Sequence, residues 1–144
     1  MSASSIAAPS VGAAGVRRAS SLRCALVITA VKLSLRLIGL RRTLRAIHRM
    51  APQGSATRDV SYESVEQVAR RVAMVAAFFP GRVACLEQSL TLYWLLLRAR
   101  VPVSFRIGVL PSQFAAHAWV EYDGEPVLES ELVRTVIPFP GLPL

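Results

Sequence analysis

Cys85 and His117 are the residues of this 144-residue chain whose types and positions most readily support chemistry. Cys85 follows a Pro80-Gly81 break and opens a long helical pattern, so it is expected in the first turn of a helix. There, unpaired backbone N–H groups and the positive end of the helix dipole favour the thiolate, which is the nucleophilic form of cysteine. A carboxylate, Glu129, follows His117 after a turn. Cysteine, histidine and acid in this order are the components of a Cys-His-acid hydrolase or acyltransferase.

Each of these residues also has an ordinary structural interpretation. A free cysteine is usually a small buried hydrophobe, a strand histidine is often only packed, and edge-strand carboxylates are commonly just solvated. Glu87 is most simply an acid favourable near a helix N-terminus, although its charge would slightly oppose a thiolate. Trp119 is expected in the core, beside the imidazole. Neither Cys24 nor His48 has ligand spacing to the other candidates, and no glycine-rich phosphate motif occurs, so we expect neither a metal nor a cofactor.

The basic charge of the chain is concentrated in its N-terminal third. Residues 1–58 hold ten basic residues and no acid, whereas residues 59–144 hold seven basic and nine acidic residues. No aromatic side chain interleaves with the N-terminal arginines, so we expect no nucleic-acid binding. The length suffices for one domain with a sizeable core. Two cysteines in unlike contexts are no disulfide framework, which fits a reducing, cytoplasmic location.

The N-terminal region is predicted to contain a tail and one basic helix. Residues 1–18 are rich in serine, alanine and glycine and are predicted to be disordered. Residues 19–50 are predicted to form a basic amphipathic helix, because leucines recur there at three-, four- and seven-residue steps. Its basic face is either a solvated surface or a docking face for an acidic protein or an anionic membrane. The uncharged stretch over residues 24–31 is too short for a membrane span, which needs about 20 residues.

The remaining elements predict an α+β domain over residues 60–136. A connector over residues 51–60 leads to a helix that begins near Ser61 to Ser64, where Ser64 and Gln67 are placed like a capping box. The helix that Cys85 opens comes next. Helices followed by antiparallel strands are typical of the α+β class. The predicted core positions of the first of these helices include Val65, Val68, Val72, Val75, Phe78 and Phe79. Strands are predicted over residues 103–109, 115–122 and 125–133, and coil over the Pro-rich tail, residues 137–144.

The turn between the last two predicted strands decides which residue lies opposite His117. A three-residue loop over residues 122–124 would place Glu129 directly opposite, close enough for a side-chain hydrogen bond. A two-residue loop over residues 123–124 would place Ser130 there instead. We expect the three-residue loop, because glycine suits its last position.

Three short sequences fit together as a pattern: Cys85-Leu86-Glu87-Gln88-Ser89-Leu90, Val103-Ser104-Phe105-Arg106-Ile107-Gly108-Val109 and Ala116-His117-Ala118-Trp119-Val120-Glu121. With them, roughly residues 60–130 resemble the transglutaminase-like cysteine protease of lasso peptide biosynthesis, and more narrowly its short, stand-alone B2 form. The basic N-terminal helix is also similar. The resemblance implies a papain- or transglutaminase-like fold and a triad of Cys85, His117 and an acid. The family usually has aspartate at the acid position, where this chain has Glu129.

The resemblance further implies that the chain removes the leader peptide from a ribosomally made lasso precursor. In that family a separate B1-type recognition protein holds the leader and a macrocyclase closes the ring afterwards, so the precursor leader and these two proteins are the expected partners. The backbone N–H of Cys85 would help bind the oxyanion. Two alternatives stay open: an acyltransferase of the same fold, and a non-catalytic scaffold that docks a partner or a membrane through the basic helix.

Overall fold

The computed structural model describes residues 19–56, 60–110, 115–128 and 137–138. In these ranges the helices are α1 (Ser21–Met50), α2 (Tyr62–Ala77) and α3 (Cys85–Arg98), and the strands are β1 (Val103–Leu110), β2 (Ala115–Tyr122), β3 (Glu125–Pro126) and β4 (Ile137–Pro138). The strands form one antiparallel sheet in the order β3-β2-β1-β4. The predicted α+β class is therefore confirmed. The predicted tail, residues 1–18, lies outside the described residues.

The prediction of one continuous N-terminal helix is wrong, because α1 is sharply bent at Gly39. That residue has φ 73° and ψ 170°, and two helical segments meet there. We call residues 21–38 the first arm and residues 40–50 the second arm. The hydroxyl oxygens of Ser34 and Thr43 are 2.8 Å apart, whereas nine residues of straight helix rise about 13.5 Å. The chain therefore folds back at Gly39, in a backbone conformation that glycine adopts readily.

Both arms pack on the same core, but the leucine stripe of the first arm does not face it, because Leu26, Leu33 and Leu37 are exposed. The first arm buries Cys24, Ile28 and Val31, and the second arm buries Leu44 and Ile47. Each such side chain contributes roughly 1.5–3 kcal/mol when fully buried. No helix of the described ranges is long and apolar enough to cross a membrane.

The start of α2 lies one turn earlier in the chain than its predicted cap. The Ser61 hydroxyl accepts the Ser64 N–H at 3.3 Å, so the predicted capping box of Ser64 and Gln67 is wrong. Val65, Val68 and Val72 are buried as predicted. Phe78, predicted to anchor the core, is instead 85% exposed, because it lies beyond the last turn of the helix.

In the part of the chain that the structure describes, β3 covers only the beginning of the predicted third strand, and β1 is flanked by an additional strand, β4. Of the strand predicted over residues 125–133, only Glu125–Pro126 is a strand; residues 127–128 form a bend, and residues 129–133 lie outside the described residues. The predicted coil of the C-terminal tail is wrong at Ile137–Pro138, which pairs with Val109 and Gly108 of β1. An edge strand accommodates the proline, because proline has no backbone N–H to donate to a second neighbouring strand.

Candidate active site

Cys85 is the first residue of α3, as predicted, and it is partly exposed. The preceding residue, Ala84, occupies the N-cap position and makes no side-chain cap hydrogen bond. Alanine has no side-chain acceptor, so the cap leaves the first-turn N–H groups to other acceptors. Such a helix start favours an anion beside it.

A hydrogen bond joins the beginning of α3 to the strand that carries His117. The Ser89 hydroxyl donates to the carbonyl oxygen of Ala118 at 2.8 Å. Cys85 lies one turn before Ser89 on the same face of the helix, because residues four apart share a face. Ala118 directly follows His117 in β2. The N-terminal half of α3 is therefore held against the part of β2 that contains His117.

The direction of α3 along the sheet brings its N-terminus towards the imidazole. One turn after Ser89, the ring of Tyr93 lies 5.7 Å from that of Phe105, whose partner on β2 is Val120. Ser89 contacts Ala118, and Tyr93 is level with Val120. Four residues along α3 thus correspond to two residues along β2. Four helical residues rise about 6 Å and two strand residues about 6.8 Å, so the two steps match. The N-terminal turn of α3 therefore lies towards the end of β2 that carries residues 115–117.

His117 is buried, with 7% of its surface exposed. Its ring stacks on that of Trp119 with centroids 6.2 Å apart and an interplanar angle of 12°, so the expectation that this tryptophan lies beside the imidazole is confirmed. Its partner on β1 is Gly108, which brings no side chain next to the ring. The imidazole is thus shielded from solvent on one face by an indole.

Trp119 is itself fixed by two further side chains that the sequence interpretation missed. Its Nε1 donates to Glu121 Oε1 at 3.0 Å, and Arg106 Nε donates to Glu121 Oε2 at 3.0 Å. The signal was present in the alternation of His117, Trp119 and Glu121, because residues two apart on a strand share a face. Arg106, Glu121 and Trp119 therefore contact one another in sequence, and Trp119 contacts the imidazole of His117.

The loop before Cys85 is held by Lys32 of the first arm. Its ammonium group donates to the carbonyl oxygen of Arg82 and to Glu87 Oε2, the latter at 3.2 Å. The same carboxylate oxygen accepts the Ala84 N–H at 2.8 Å. Glu87 is therefore not only a first-turn acid: Lys32 balances its charge, which lessens its opposition to a thiolate at Cys85.

The turn after β2 differs from the predicted three-residue loop, so that prediction is wrong. Tyr122 pairs with Glu125, and only Asp123 and Gly124 lie between them. Both turn residues have positive φ, 51° and 80°, which is the geometry of the type I′ hairpin turn. Its twist matches that of the strands it connects, which favours it over the longer loop.

This register removes the geometric argument for placing Glu129 opposite His117. Continued regularly, the two-residue turn would bring Ser130 to that position instead. However, Leu128 has φ 69°, which departs from strand geometry. Glu129 and Ser130 lie outside the described residues, so the role of Glu129 stays a prediction.

The two cysteines lie in different environments. Cys24 is fully buried in the core, and this burial raises the pKa of its thiol above the usual value, against the opposing effect of the positive charges of Arg71 and Arg23. Cys85 is partly exposed at a helix start. Within the described ranges, no group of three or more His, Cys, Asp or Glu residues is placed to hold a metal ion.

A model of the transglutaminase-like superfamily matches residues 25–138 of the chain. The matched region covers most of α1 and every later helix and strand, and it contains both Cys85 and His117. No curated protein and no solved structure matches the chain.

Proposed function

We propose that this chain, which belongs to the transglutaminase-like superfamily, is a cysteine peptidase with Cys85 as nucleophile and His117 as general base and acid. The observation that carries the proposal is the bond from Ser89 to the Ala118 carbonyl, because it ties the helix that Cys85 begins to the residue that follows His117. A partly exposed cysteine at a helix start whose N-cap residue, Ala84, offers no side-chain acceptor adds support. These are the positions that nucleophilic catalysis by a thiolate requires.

In the proposed mechanism, His117 takes the proton of Cys85 to give a thiolate–imidazolium pair. The thiolate forms a C–S bond to the scissile carbonyl carbon, and the Cys85 backbone N–H donates to the oxyanion. His117 then gives its proton to the leaving nitrogen as the C–N bond breaks. Water attacks the resulting thioester, passes a proton through His117 back to sulfur, and releases the carboxylic acid.

Glu129 is proposed as the acid that orients His117, on its position in the sequence after the turn. A carboxylate in that role holds the imidazole tautomer and stabilises the imidazolium. Glutamate has one methylene more than the aspartate usual in the resembled proteases, and a flexible side chain can absorb that difference in reach.

The proposed substrate is the leader peptide of a lasso precursor, supported by the three sequence elements that resemble lasso proteases. The proposed partners are then a B1-type recognition protein, which presents the leader, and a macrocyclase, which acts on the released peptide. We place the reaction in the cytoplasm, since both cysteines are free and a chain without a disulfide framework fits a reducing compartment.

The test is selective alkylation combined with product analysis. Iodoacetamide should label Cys85 faster than the buried Cys24 and should abolish cleavage of a lasso precursor peptide. Cys24→Ala is the matched control and should still cleave, whereas Cys85→Ala and His117→Gln should not. Equal labelling of the two cysteines with retained cleavage would contradict the proposal.

The same experiment separates the competing functions. With an added amine such as glycine methyl ester, a peptidase releases the free acid, whereas an acyltransferase yields the amide. A Cys85→Ala chain that still supports full maturation would indicate a scaffold without catalysis.

A further inference from the structure

The fold-back of α1 creates a groove between its two arms, outside the site at Cys85. The groove encloses about 410 Å³, and its lining is almost entirely apolar. We call it the hairpin groove. Its walls come from the two arms, and Trp94 of α3 also lines it. The residues of the arms that line it include Leu26, Val27, Ala30, Ala46, Ile47 and Met50. Leu26 and Met50 are also exposed at its rim. A cavity of this size is in the range of ligand and peptide sites.

A second cavity, lined largely by arginine, adjoins the hairpin groove. It shares Ala46 and Met50 with the groove, and its other lining residues include Arg42, Arg45 and Arg49. These arginines recur at three- and four-residue steps, so they lie on one face of the second arm. We call them the arginine shelf. All three are exposed, and none forms an ion pair with another described residue.

We propose that the hairpin groove and the arginine shelf together bind an acidic amphipathic helix of a partner protein. Such a helix would place its apolar face in the groove and its carboxylates against the shelf, as amphipathic helices do in other grooves. Charge complementarity supports an acidic occupant, because residues 1–58 contain ten basic residues and no acid. Guanidinium groups are well suited to carboxylates, which they bind in a bidentate manner.

The shape of the surface favours a helix over a membrane. The apolar residues line a concavity between two helical arms, and a flat bilayer cannot fill a concavity of about 410 Å³. Leu22, Leu33 and Leu37 of the first arm are also exposed but lie outside the groove, and the vesicle experiment below tests them as a membrane contact. A partner helix laid along the two antiparallel arms would be the third helix of a three-helix packing arrangement.

The probe for the test is a synthetic peptide of about five helical turns. It carries leucine at i, i+3, i+4 and i+7 positions and glutamate on the opposite face, with a fluorescent label for anisotropy measurements on the full chain. Two control peptides are a scrambled sequence of identical composition and a version with lysine for every glutamate. Binding is expected for the first peptide alone, and it should weaken at least tenfold when salt rises from about 50 to about 300 mM.

Two variants locate the binding. The triple change Arg42→Gln, Arg45→Gln and Arg49→Gln should weaken binding about tenfold, and as these side chains are exposed the fold should be kept. Its charge-matched control changes three exposed arginines that lie outside the second arm to Gln, namely Arg70, Arg82 and Arg100. This control should bind the peptide like the parent chain. Ala46→Trp should weaken binding more than tenfold by filling the groove.

The outcomes distinguish the occupants. Equal binding of the scrambled peptide, or equal weakening by the control triple, would overturn the proposal and leave only nonspecific charge attraction. Sedimentation with vesicles of phosphatidylcholine and about 30% phosphatidylglycerol provides the membrane arm. If vesicles bind the parent chain and the designed peptide does not, the surface is a membrane contact and the proposal is wrong. Because none of these measurements needs catalysis, they stand apart from the test of the peptidase.

Discussion

The ion pair between Lys32 and Glu87 should position Cys85, and replacing Lys32 by methionine tests this directly. Methionine keeps an apolar stem of similar length but removes the ammonium group. The side chains of Lys32 and Glu87 are only 20% and 19% exposed, with nitrogen and oxygen 3.2 Å apart. Lys32 also donates to the Arg82 carbonyl. The change therefore removes two charge-assisted contacts to the segment that leads into α3.

The size of the effect on stability follows from these distances. At 3.2 Å and an effective dielectric constant near 20, the Coulomb attraction is about 5 kcal/mol. Desolvation of the two ions offsets most of it, which leaves a net contribution between the exposed and buried cases, about 1–2 kcal/mol. The lost hydrogen bond to a carbonyl adds about 1 kcal/mol. We therefore expect Lys32→Met to lower the free energy of unfolding by about 2–3 kcal/mol.

The effect on reactivity has a separate cause. Without Lys32, the charge of the Glu87 carboxylate is unbalanced two residues from the Cys85 thiolate, at a distance of about 7 Å. In water-like surroundings the repulsion is about 0.6 kcal/mol, which is roughly a threefold loss. The iodoacetamide rate at Cys85 should thus fall at least threefold in Lys32→Met. It should recover in the double variant Lys32→Met/Glu87→Gln, which has no charge to oppose the thiolate.

A double-mutant cycle measures both effects, with urea unfolding for stability and iodoacetamide labelling for reactivity. The pair of Arg70 and Glu66 is the matched control, since its atoms are closer, at 2.8 Å, but its side chains are 69% and 30% exposed. Its coupling energy should be about 0.3–0.5 kcal/mol. If the coupling of Lys32 and Glu87 is no larger than that, or if Cys85 labels equally fast in both single and double variants, the reasoning is refuted.

Two further predictions concern the surroundings of His117. Glu129→Gln should lower precursor cleavage about 100-fold or more without changing the urea midpoint, whereas Ser130→Ala should change cleavage less than twofold. The reverse ranking would mean that the two-residue turn continues in register and that Glu129 is not the orienting acid. Glu121→Gln should weaken both contacts that fix Trp119, lower cleavage about tenfold and shift the tryptophan fluorescence. Glu63→Gln, on the exposed first turn of α2, is its control, and an equal loss there would exclude the positioning role.

The elements that carry the site could be predicted because their sequence signals are strong and local. Proline and glycine mark the start of α3, and Pro102 follows its end, so its bounds follow from backbone chemistry alone. The strands that contain Gly108 and His117 alternate clearly enough to be placed within a residue or two. For these elements the predicted and observed bounds differ little.

The bend at Gly39 could not be predicted from the same signals. A single glycine in an amphipathic pattern costs only about 1 kcal/mol and normally does not end a helix. The leucine pattern continues across the reversal although it faces the core only in the second arm: Leu44 is buried, whereas Leu33 and Leu37 are exposed. What selects the fold-back is tertiary packing, including the contact between Ser34 and Thr43, and a periodicity argument has no access to it.

The hairpin turn shows a different limit, where two local rules compete. Glycine fits the last position of a three-residue loop and also the second position of a type I′ turn. The deciding residue is Asp123, which adopts φ 51°. Aspartate tolerates this region better than most residues, so an Asp-Gly pair favours the shorter turn. Giving Asp123 equal weight with Gly124 would have led to the observed register.

Contacts between distant parts of the chain account for what the sequence interpretation missed in the site. Lys32 and Glu87 are 55 positions apart, and no periodicity or motif relates them. The bend at Gly39 matters here too, because it sets both the first arm against the loop before Cys85 and the second arm across the hairpin groove. Lys32 stands between Val31 and Ser34, which line that groove, so one rigid helix serves the two sites. Their functions can still be separated: Lys32→Met should alter Cys85 reactivity with the arginine shelf intact, and the shelf variant should alter peptide binding with Cys85 reactivity intact.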